Sequence, residues 1–308
     1  MRLTTIAIKG REVAAIVCEK GVLPIYALNA AQGTAWEETM MPLIQKQQLA
    51  GLTDWYNAGG AEKCAKIRGF VPQEEVVYAP LYRNPKRIFG IGLNYRDHAG
   101  DIGSAPPSGF PGSFFKQADT LIGPNDEIHL PKLKEAQRTT AEAELGVILG
   151  KDCRDVEEED WLSVVAGYTT ILDMTEESIL KGNDFLKGNP RYLTIVKNFP
   201  TFFSFGPELV TPDEVPDVLK LNVQSIHNGA VHAENTVDHM IHHPAKLVSL
   251  HSKIQGWFAG DVLSTGTPRA FPLEDGDMAE CRIFGPDGFA MRPLLNPVVD
   301  LKKHPEKE

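Results

Sequence analysis

Three carboxylates in two apolar stretches are the residues best placed to do chemistry. Glu142 and Glu144 stand at positions i and i+2 of TAEAELGVILGK, and Asp173 closes the apolar run VVAGYTTILDMT. In a strand, positions i and i+2 share a face, where two carboxylates repel unless a cation or a proton lies between them. Three oxygen donors without His or Cys suit Mg²⁺, Mn²⁺ or Ca²⁺ rather than zinc. The alternatives are a solvated strand edge for the glutamates and a turn or helix cap for Asp173.

A histidine could supply acid–base chemistry. In NYRDHAGD, His98 precedes Asp101 by three residues, a spacing that places both side chains together on a helical turn. The carboxylate could orient the imidazole and stabilise its cation, so that His98 acts as a general base for water. The pair could equally be ordinary surface residues.

Two lysines and a glycine-rich turn are candidates for holding an anion. Lys116 in SFFKQAD and Lys197 in TIVKNF stand among apolar residues, where a lysine either extends its amine to the surface or pairs with an anion. Thr265 and Thr267 of GDVLSTGTP could bind a carboxylate through hydroxyl and backbone N–H groups. The turn could also be purely structural.

Two other patterns are weaker. His239, His242 and His243 cluster in DHMIHHP, but adjacent histidines do not naturally converge on one ion, so we do not expect a metal there. The Gly90/Gly92 pair lacks the third glycine and the amphipathic helix of a dinucleotide-binding fingerprint.

The composition is that of an ordinary globular protein. The 308 residues are 42% hydrophobic and 23% charged, with a formal net charge of −10. An acidic surface argues against binding nucleic acid or anionic membrane, and no apolar run approaches the roughly 20 residues needed to cross a bilayer. The N-terminus lacks the apolar core of a signal peptide, and the four cysteines are scattered. We therefore expect a cytoplasmic protein with reduced thiols.

The elements that must position these side chains divide the chain into two regions. Residues 1–82 predict a small N-terminal α+β domain with strands at Leu3–Lys9, Val13–Val17 and Val22–Ala27 and a helix over Ala35–Ala58, broken near Pro42. Residues 83–308 predict a larger, β-rich, mixed α/β domain that contains the candidate site residues. The strands expected there are Ile88–Leu93, Glu144–Leu149, Tyr168–Leu172, Leu219–His227 and Ala279–Phe284, and the helices are Glu157–Val165 and Ala245–Gln255.

The order of the motifs resembles the fumarylacetoacetate hydrolase superfamily. The motifs, over residues 86–297, are GLNYRDHAGD, FFKQADTLIGP, AEAELGVILGK, VAGYTTILDMT, VKNFPTFFSFGPELV, HNG, GDVLSTGTP and DGD. The resemblance implies a mixed β-roll catalytic domain, usually in a homodimer, preceded by the small extra domain of the longer bacterial members. It also implies a divalent ion, Mg²⁺ or else Mn²⁺ or Ca²⁺, bound by Glu142, Glu144 and Asp173.

The resemblance also implies roles around the substrate, a small 2-oxo or 1,3-diketo acid. Lys197 would contact an oxo or carboxylate oxygen, Thr267 would contact a carboxylate or oxyanion, and Lys116 remains a candidate substrate contact. His98 with Asp101 would activate water on a loop that often closes as a lid.

The chain departs from the family pattern around the substrate but not at the metal ligands. Asp101 replaces the more common Glu, Glu177 stands where Arg is usual, and Leu180 stands where Gln is usual. Arg191 is a possible replacement for the missing arginine. Two smaller departures are Ala270, which stands where Gly usually follows TGTP-x, and Ala233, which stands where Gln usually follows the NG turn.

Three functions remain open at this point. The first is a metal-dependent hydrolase that cleaves a C–C bond in a 1,3-diketo or acylpyruvate-type acid. The second uses the same site for decarboxylation, isomerisation or hydration of a 2-oxo acid. The third is a metal-binding scaffold without turnover.

Overall fold

The computed structural model describes residues 1–96, 109–181 and 192–307. These ranges form a mixed α/β, strand-rich structure with a thirteen-stranded sheet, a five-stranded sheet and short helices. This confirms the predicted fold class. The helices are α1 (Ile25–Gln32), α2 (Met40–Gln45), α3 (Leu49–Trp55), α4 (Glu177–Lys181), α5 (Leu193–Val196) and α6 (Pro244–Ile254).

The thirteen-stranded sheet carries the predicted metal ligands on its two longest strands, β9 and β10. Its main path runs β4-β3-β2-β1-β12-β10-β9-β15-β5-β6, with β7, β11 and β16 attached beside it. The strands of this sheet are β1 (Arg2–Ile8), β2 (Arg11–Cys18), β3 (Gly21–Pro24), β4 (Val71–Pro72), β5 (Ile88–Gly92), β6 (Gly112–Lys116), β7 (Leu121–Ile122), β9 (Thr139–Leu149), β10 (Val165–Glu176), β11 (Phe203–Phe205), β12 (Glu208–Val210), β15 (Val262–Ser264) and β16 (Phe271–Pro272).

The five-stranded sheet packs against the β9–β10 pair and shares a hydrophobic core with it. Its order is β14-β13-β17-β18-β8. The strands are β8 (Ile128–Leu130), β13 (Asn222–His227), β14 (Ala230–Thr236), β17 (Met278–Phe284) and β18 (Leu294–Asp300).

The N-terminal strands join the large sheet. Strand β1 pairs with β12, with Arg2 opposite Val210, and a second buried cluster combines side chains from both regions of the chain. The described residues on either side of position 82 therefore share one sheet and one core. The boundary at residues 82/83 stays a prediction.

Local sequence explains where several elements differ from expectation. The strand expected over Val22–Ala27 ends at Pro24, and α1 follows until Gly33 adopts a left-handed conformation with φ of 67°. The helix expected over Ala35–Ala58 is two helices, separated at residues 46–48 rather than at Pro42. Pro42 lies in the first turn of α2, where its missing N–H leaves no helical hydrogen bond unmade.

In residues 83–308 the predicted positions of the elements agree more closely with the structure. Helix α6 matches the predicted Ala245–Gln255, whereas the segment predicted as a helix at Glu157–Val165 is a 3₁₀-helix, Glu158–Val164. In the described ranges, no helix combines the length and apolar character that crossing a membrane requires. All four cysteines are free thiols.

Candidate metal centre

The antiparallel pairing of β9 and β10 brings the three predicted metal ligands together. Glu142 lies directly opposite Asp173, and Glu144 lies opposite Ile171. One carboxylate oxygen from each of the three acids lies within 4.8 Å of the others. Because side chains alternate along a strand, Glu142 and Glu144 share the face on which Asp173 stands.

Glu144 is the most tightly held member of the trio. Its Oε2 accepts hydrogen bonds of 2.6 Å from Ser264 Oγ and of 2.6 Å from the backbone N–H of Gly266, and the residue is 2% exposed. Burial, with the neighbouring charges of Asp173 and Glu142, raises the pKa of Glu144 to about 8. Without a cation, folding therefore disfavours the ionised form of this carboxylate at neutral pH.

Gly266 reaches Glu144 only because it has no side chain. Its φ is +101°, and a Cβ there would lie 2.7 Å from Asn94 Cβ and 3.2 Å from the carbonyl oxygen of Ile91. Asn94 in turn holds the adjacent turn, donating from Nδ2 to the Thr265 carbonyl at 2.7 Å. Asn94 thus holds the turn of residues 264–266, and this turn holds Glu144 through two hydrogen bonds.

Lys197, at the end of α5, bridges the other two carboxylates. Its Nζ donates to Asp173 Oδ2 at 2.8 Å and also to Glu142 Oε2. Burial by itself would lower the pKa of Lys197, but the charges of Asp173, Glu142 and Glu144 outweigh burial and raise it. The ammonium therefore stays cationic beside the trio.

Lys116, at the end of β6, holds the far side of Asp173. Its Nζ donates to Asp173 Oδ1 at 2.6 Å and to the carbonyl of Met174 at 3.1 Å. Burial, helped by the positive charge of Lys197, lowers the pKa of Lys116 to about 8 against the attraction of Asp173. The two lysines thus fix both oxygens of the same carboxylate. Sequence spacing alone could not show this, since the three residues come from β6, β10 and α5.

The two threonines of the glycine-rich turn form hydrogen bonds within the protein. Thr265 is not available for a ligand, because its Oγ1 donates to the Leu145 carbonyl at 2.8 Å. Thr267 is 3% exposed, and its Oγ1 donates to the carbonyl of Arg269 at 3.3 Å, a long hydrogen bond. Thr175, which the sequence analysis did not single out, donates from Oγ1 to Glu142 Oε2 at 3.2 Å.

Three predicted site residues, His98, Asp101 and Arg191, lie outside the described residues. The histidines of DHMIHHP do not form a metal cluster within the described ranges, where the carboxylate trio is the only group of three or more potential ligands. His239 Nδ1 instead contacts Asn235 at 2.6 Å, and His243 Nε2 contacts the Asp238 carbonyl at 3.0 Å.

The donor set fits a hard divalent cation. All three convergent groups are carboxylates, and each carboxylate has about four lone-pair positions, so it can bind a cation while it also accepts from a lysine or a hydroxyl. A cation would also stabilise the ionised form of Glu144, which burial disfavours. Glu142, Glu144 and Asp173 would hold it.

Curated relatives share a substantial part of this sequence. A protein from Burkholderia cenocepacia is 39% identical over 184 residues, which are 59% of this chain and 61% of that protein. Its provisional name says no more than hydrolase. The alignment thus spans about three fifths of the length of the curated relatives.

Solved structures cover nearly the whole chain. A maleylpyruvate hydrolase from Sphingobium sp. SYK-6, solved with manganese (II) ion and pyruvate, is 26% identical with a TM-score of 0.74. The match covers 97% of this chain and 99% of that chain. A 2-hydroxyhepta-2,4-diene-1,7-dioate isomerase from Mycobacterium marinum is 25% identical with a TM-score of 0.68, and covers 97% of this chain and 98% of that one.

The family described as fumarylacetoacetate (FAA) hydrolase C-terminal matches residues 87–298, the part of the chain that holds the carboxylate trio and both lysines. This confirms the resemblance inferred from the order of the motifs. The chain is therefore a member of the fumarylacetoacetate hydrolase family.

Proposed function

We propose that the chain is a divalent-metal-dependent hydrolase that cleaves a C–C bond in a 1,3-diketo or 2-oxo acid of the acylpyruvate type. One observation carries the proposal: three buried or half-buried carboxylates converge within 4.8 Å beside two buried lysines. Such a site can bind both a cation and an anionic substrate. The reaction would convert an acylpyruvate and water into a carboxylic acid and pyruvate.

The bound cation would supply Lewis-acid stabilisation of negative charge on the substrate oxygens. Lys197 places a second positive charge beside the same carboxylates, where it can attract a substrate carboxylate or keto oxygen. Lys116 orients Asp173 from the other side. Ser264 and Gly266 fix the carboxylate of Glu144, so that this metal-binding side chain does not have to reorient when the substrate binds.

Cleavage by water needs a base. We retain His98, oriented by Asp101, for this role, in which it would take a proton from water and later return it to the carbon that leaves. Thr267 and Arg191 remain proposed substrate contacts. Decarboxylation would not need water activation, so His98 distinguishes the two types of chemistry.

The comparisons support a hydrolase but leave a second candidate. The maleylpyruvate hydrolase neighbour was solved with a manganese (II) ion and pyruvate, which supports both a divalent ion and a 2-oxo acid ligand for this chain. The isomerase neighbour, at a similar level of identity, supports an oxo-acid isomerase on the same metal site. Identification of the products separates these possibilities.

The test is turnover of acylpyruvates and oxaloacetate with Mg²⁺, Mn²⁺ or Ca²⁺, measured with product identification by mass spectrometry. Wild type is compared with Glu142→Gln, with His98→Ala and with the control Glu157→Gln, which removes an exposed carboxylate paired with Lys253. From the acylpyruvates we expect chelator-sensitive formation of pyruvate together with a carboxylic acid, which both site variants lose and the control keeps.

Other outcomes would reject the proposal in distinct ways. Carbon dioxide formation that survives His98→Ala would show a decarboxylase, and a product of unchanged mass would show an isomerase. Tight Mn²⁺ binding without turnover of any oxo acid would show a metal-binding scaffold.

A further inference from the structure

Arg138 and Glu177 extend the β9–β10 ladder beyond the metal site. Glu176 lies opposite Thr139, and the next backbone hydrogen bond, from the N–H of Glu177 to the carbonyl of Arg138, is 2.9 Å long. Arg138 and Glu177 are therefore also cross-strand partners. The pairs that follow one another on this face are Glu142–Asp173, Thr140–Thr175 and Arg138–Glu177.

Alternation along the strands places Arg138 on the same face as Glu142. The hydrogen bond of 3.2 Å from Thr175 Oγ1 to Glu142 Oε2 shows that the intermediate pair also faces the metal site. Arg138 lies four positions before Glu142, so their Cα atoms lie about 13 Å apart along the strand. The side chains of Arg138 and Glu142, together with an extended small molecule bound between them, can span this distance.

Exposure increases along this face towards Arg138. The side chain of Asp173 is 0% exposed, that of Glu142 is 15% exposed and that of Arg138 is 53% exposed. This face is therefore buried at the metal ligands and exposed to solvent at Arg138.

The backbone of Arg138 is firmly held. On the opposite face, the buried Glu176 side chain accepts hydrogen bonds from the N–H of Arg138 at 3.1 Å and from Thr139 Oγ1 at 2.8 Å. It also accepts from the backbone N–H of Ser178 at 3.1 Å. These hydrogen bonds join the start of β9 to the end of β10, so the backbone from which the Arg138 side chain extends is held in place.

The guanidinium group itself is only partly used. Arg138 Nε donates to Glu177 Oε2 at 3.1 Å, and within the described ranges its side chain forms no other hydrogen bond or ion pair. Its two terminal nitrogens can therefore donate to a carboxylate in the planar, two-point manner that arginine favours. Lys116 and Lys197, by contrast, are both bound to the carboxylates of the metal site.

We propose that Arg138, positioned by Glu177, binds an anionic group at the end of the substrate that is remote from the metal-binding 2-oxo acid. The preferred substrates are then dianions that carry a second carboxylate. This inference rests on the proposed function, because it takes the 2-oxo acid end to lie at the carboxylate trio.

A binding experiment tests the inference without requiring turnover. The dissociation constants of 2-oxoadipate and 2-oxohexanoate, which have six carbons each and differ by one terminal carboxylate, are measured by calorimetry on the Mn²⁺-loaded protein. We expect wild type to bind the dicarboxylate about tenfold more tightly. The preference should fall below about threefold in Arg138→Gln, while the affinity for 2-oxohexanoate stays within twofold.

The control Arg83→Gln removes an arginine of similar exposure that pairs with Glu12 on β2. It should keep the preference. The charge-swapped variant Arg138→Glu/Glu177→Arg returns an arginine to the same face from the opposite strand, and it should regain part of the preference. A wild type without the preference, or a preference that survives Arg138→Gln, would overturn the inference.

Kinetics separate this inference from the proposed function. With maleylpyruvate, which has two carboxylates, Arg138→Gln should raise KM about tenfold or more with little change in kcat. With acetylpyruvate, which has one carboxylate, both constants should stay within twofold. If neither compound is cleaved while the binding preference stands, the hydrolase proposal fails and the Arg138 subsite remains. If Arg138→Gln lowered kcat/KM equally for both compounds, Arg138 would have only a structural role, and the proposed subsite would be overturned.

Discussion

Glu142 and Asp173 are direct cross-strand partners whose carboxylates are joined by the single ammonium group of Lys197. Like charges opposite each other normally destabilise a strand pair. Here Lys197 offsets that repulsion, and a bound cation would do so as well. The site therefore keeps two acidic residues together at a position that burial alone would disfavour.

Gly266 should be essential for the position of Glu144. In Gly266→Ala the new Cβ would meet Asn94 and Ile91, in addition to the strain of a positive φ, which costs about 1–2 kcal/mol. We expect the free energy of unfolding to fall by more than this strain alone, and Mn²⁺ affinity to fall with it. Urea denaturation and calorimetric titration measure the two effects.

Gly276→Ala is the matched control, because the φ of Gly276 is +86° but a Cβ there would meet no atom of the described residues within 4 Å. Its free energy of unfolding should fall only by the cost of the positive φ, and its Mn²⁺ affinity should stay unchanged. Equal stability losses in the two variants, with metal binding unchanged in both, would show that the Gly266 contact does not position Glu144.

The hydroxyl of Ser264 should tune metal affinity. Ser264→Ala removes the hydrogen bond of 2.6 Å to Glu144 Oε2 within a fully buried environment. Loss of such a partner to a ligand typically weakens metal binding 10- to 100-fold. Titration with Mn²⁺ checks this. Ser252→Ala removes another buried, hydrogen-bonded serine on α6, and a comparable loss there would point to general destabilisation.

Glu144→Gln should separate fold stability from metal binding. The pKa of Glu144 is raised from 4.5 to about 8, so the folded state retains the proton that the unfolded state loses. The stability from this group is complete below about pH 4.5 and is lost as pH rises through about 8. At pH 8, metal-free Glu144→Gln should therefore be more stable than metal-free wild type.

Added Mn²⁺ should reverse that order. A ligand at a hundred times its dissociation constant stabilises the folded state by about 2.7 kcal/mol, and the variant lacks one of the three ligands. Denaturant midpoints measured with chelator and with Mn²⁺ test both parts. A variant that gains as much stability from Mn²⁺ as wild type does would remove Glu144 from the ligand set.

His251 should make the protein sensitive to acid independently of the metal site. It is 4% exposed against Phe89 and Trp257, and its Nε2 has no hydrogen-bond partner among the described residues. Burial, with the nearby His242, lowers the pKa of His251 from 6.5 to about 4. The unfolded state therefore binds a proton that the folded state does not, and stability falls as pH decreases from about 6.5 to about 4.

The contribution of His251 is obtained as a difference between variants, so that other titrating groups cancel. Relative to His251→Leu, wild type should lose up to about 1.4 kcal/mol per pH unit over this range. The exposed His239, replaced in His239→Leu, controls for the loss of one imidazole. Parallel stability curves for wild type and His251→Leu between pH 7 and pH 4.5 would contradict the prediction.

Much of the fold could be predicted because its signals are local. Apolar alternation predicted β1, β2, β5 and β17 close to their observed bounds, and a helical apolar spacing predicted α6. The failures also have local causes. Pro24 ended a strand that β-rich composition would have extended, and Glu158–Val164 formed a 3₁₀-helix where the residue pattern allowed a longer α-helix.

The sequence by itself determined the types and order of the metal-binding candidates, because a carboxylate pair at i and i+2 in a strand must share a face. Only the tertiary structure decided what surrounds them. Glu144 depends on Ser264 and Gly266, 120 or more residues later, and Arg138 meets Glu177 across the strand pair. Such contacts follow from strand register and sheet order, which depend on the packing of the whole core and leave no local pattern in the chain.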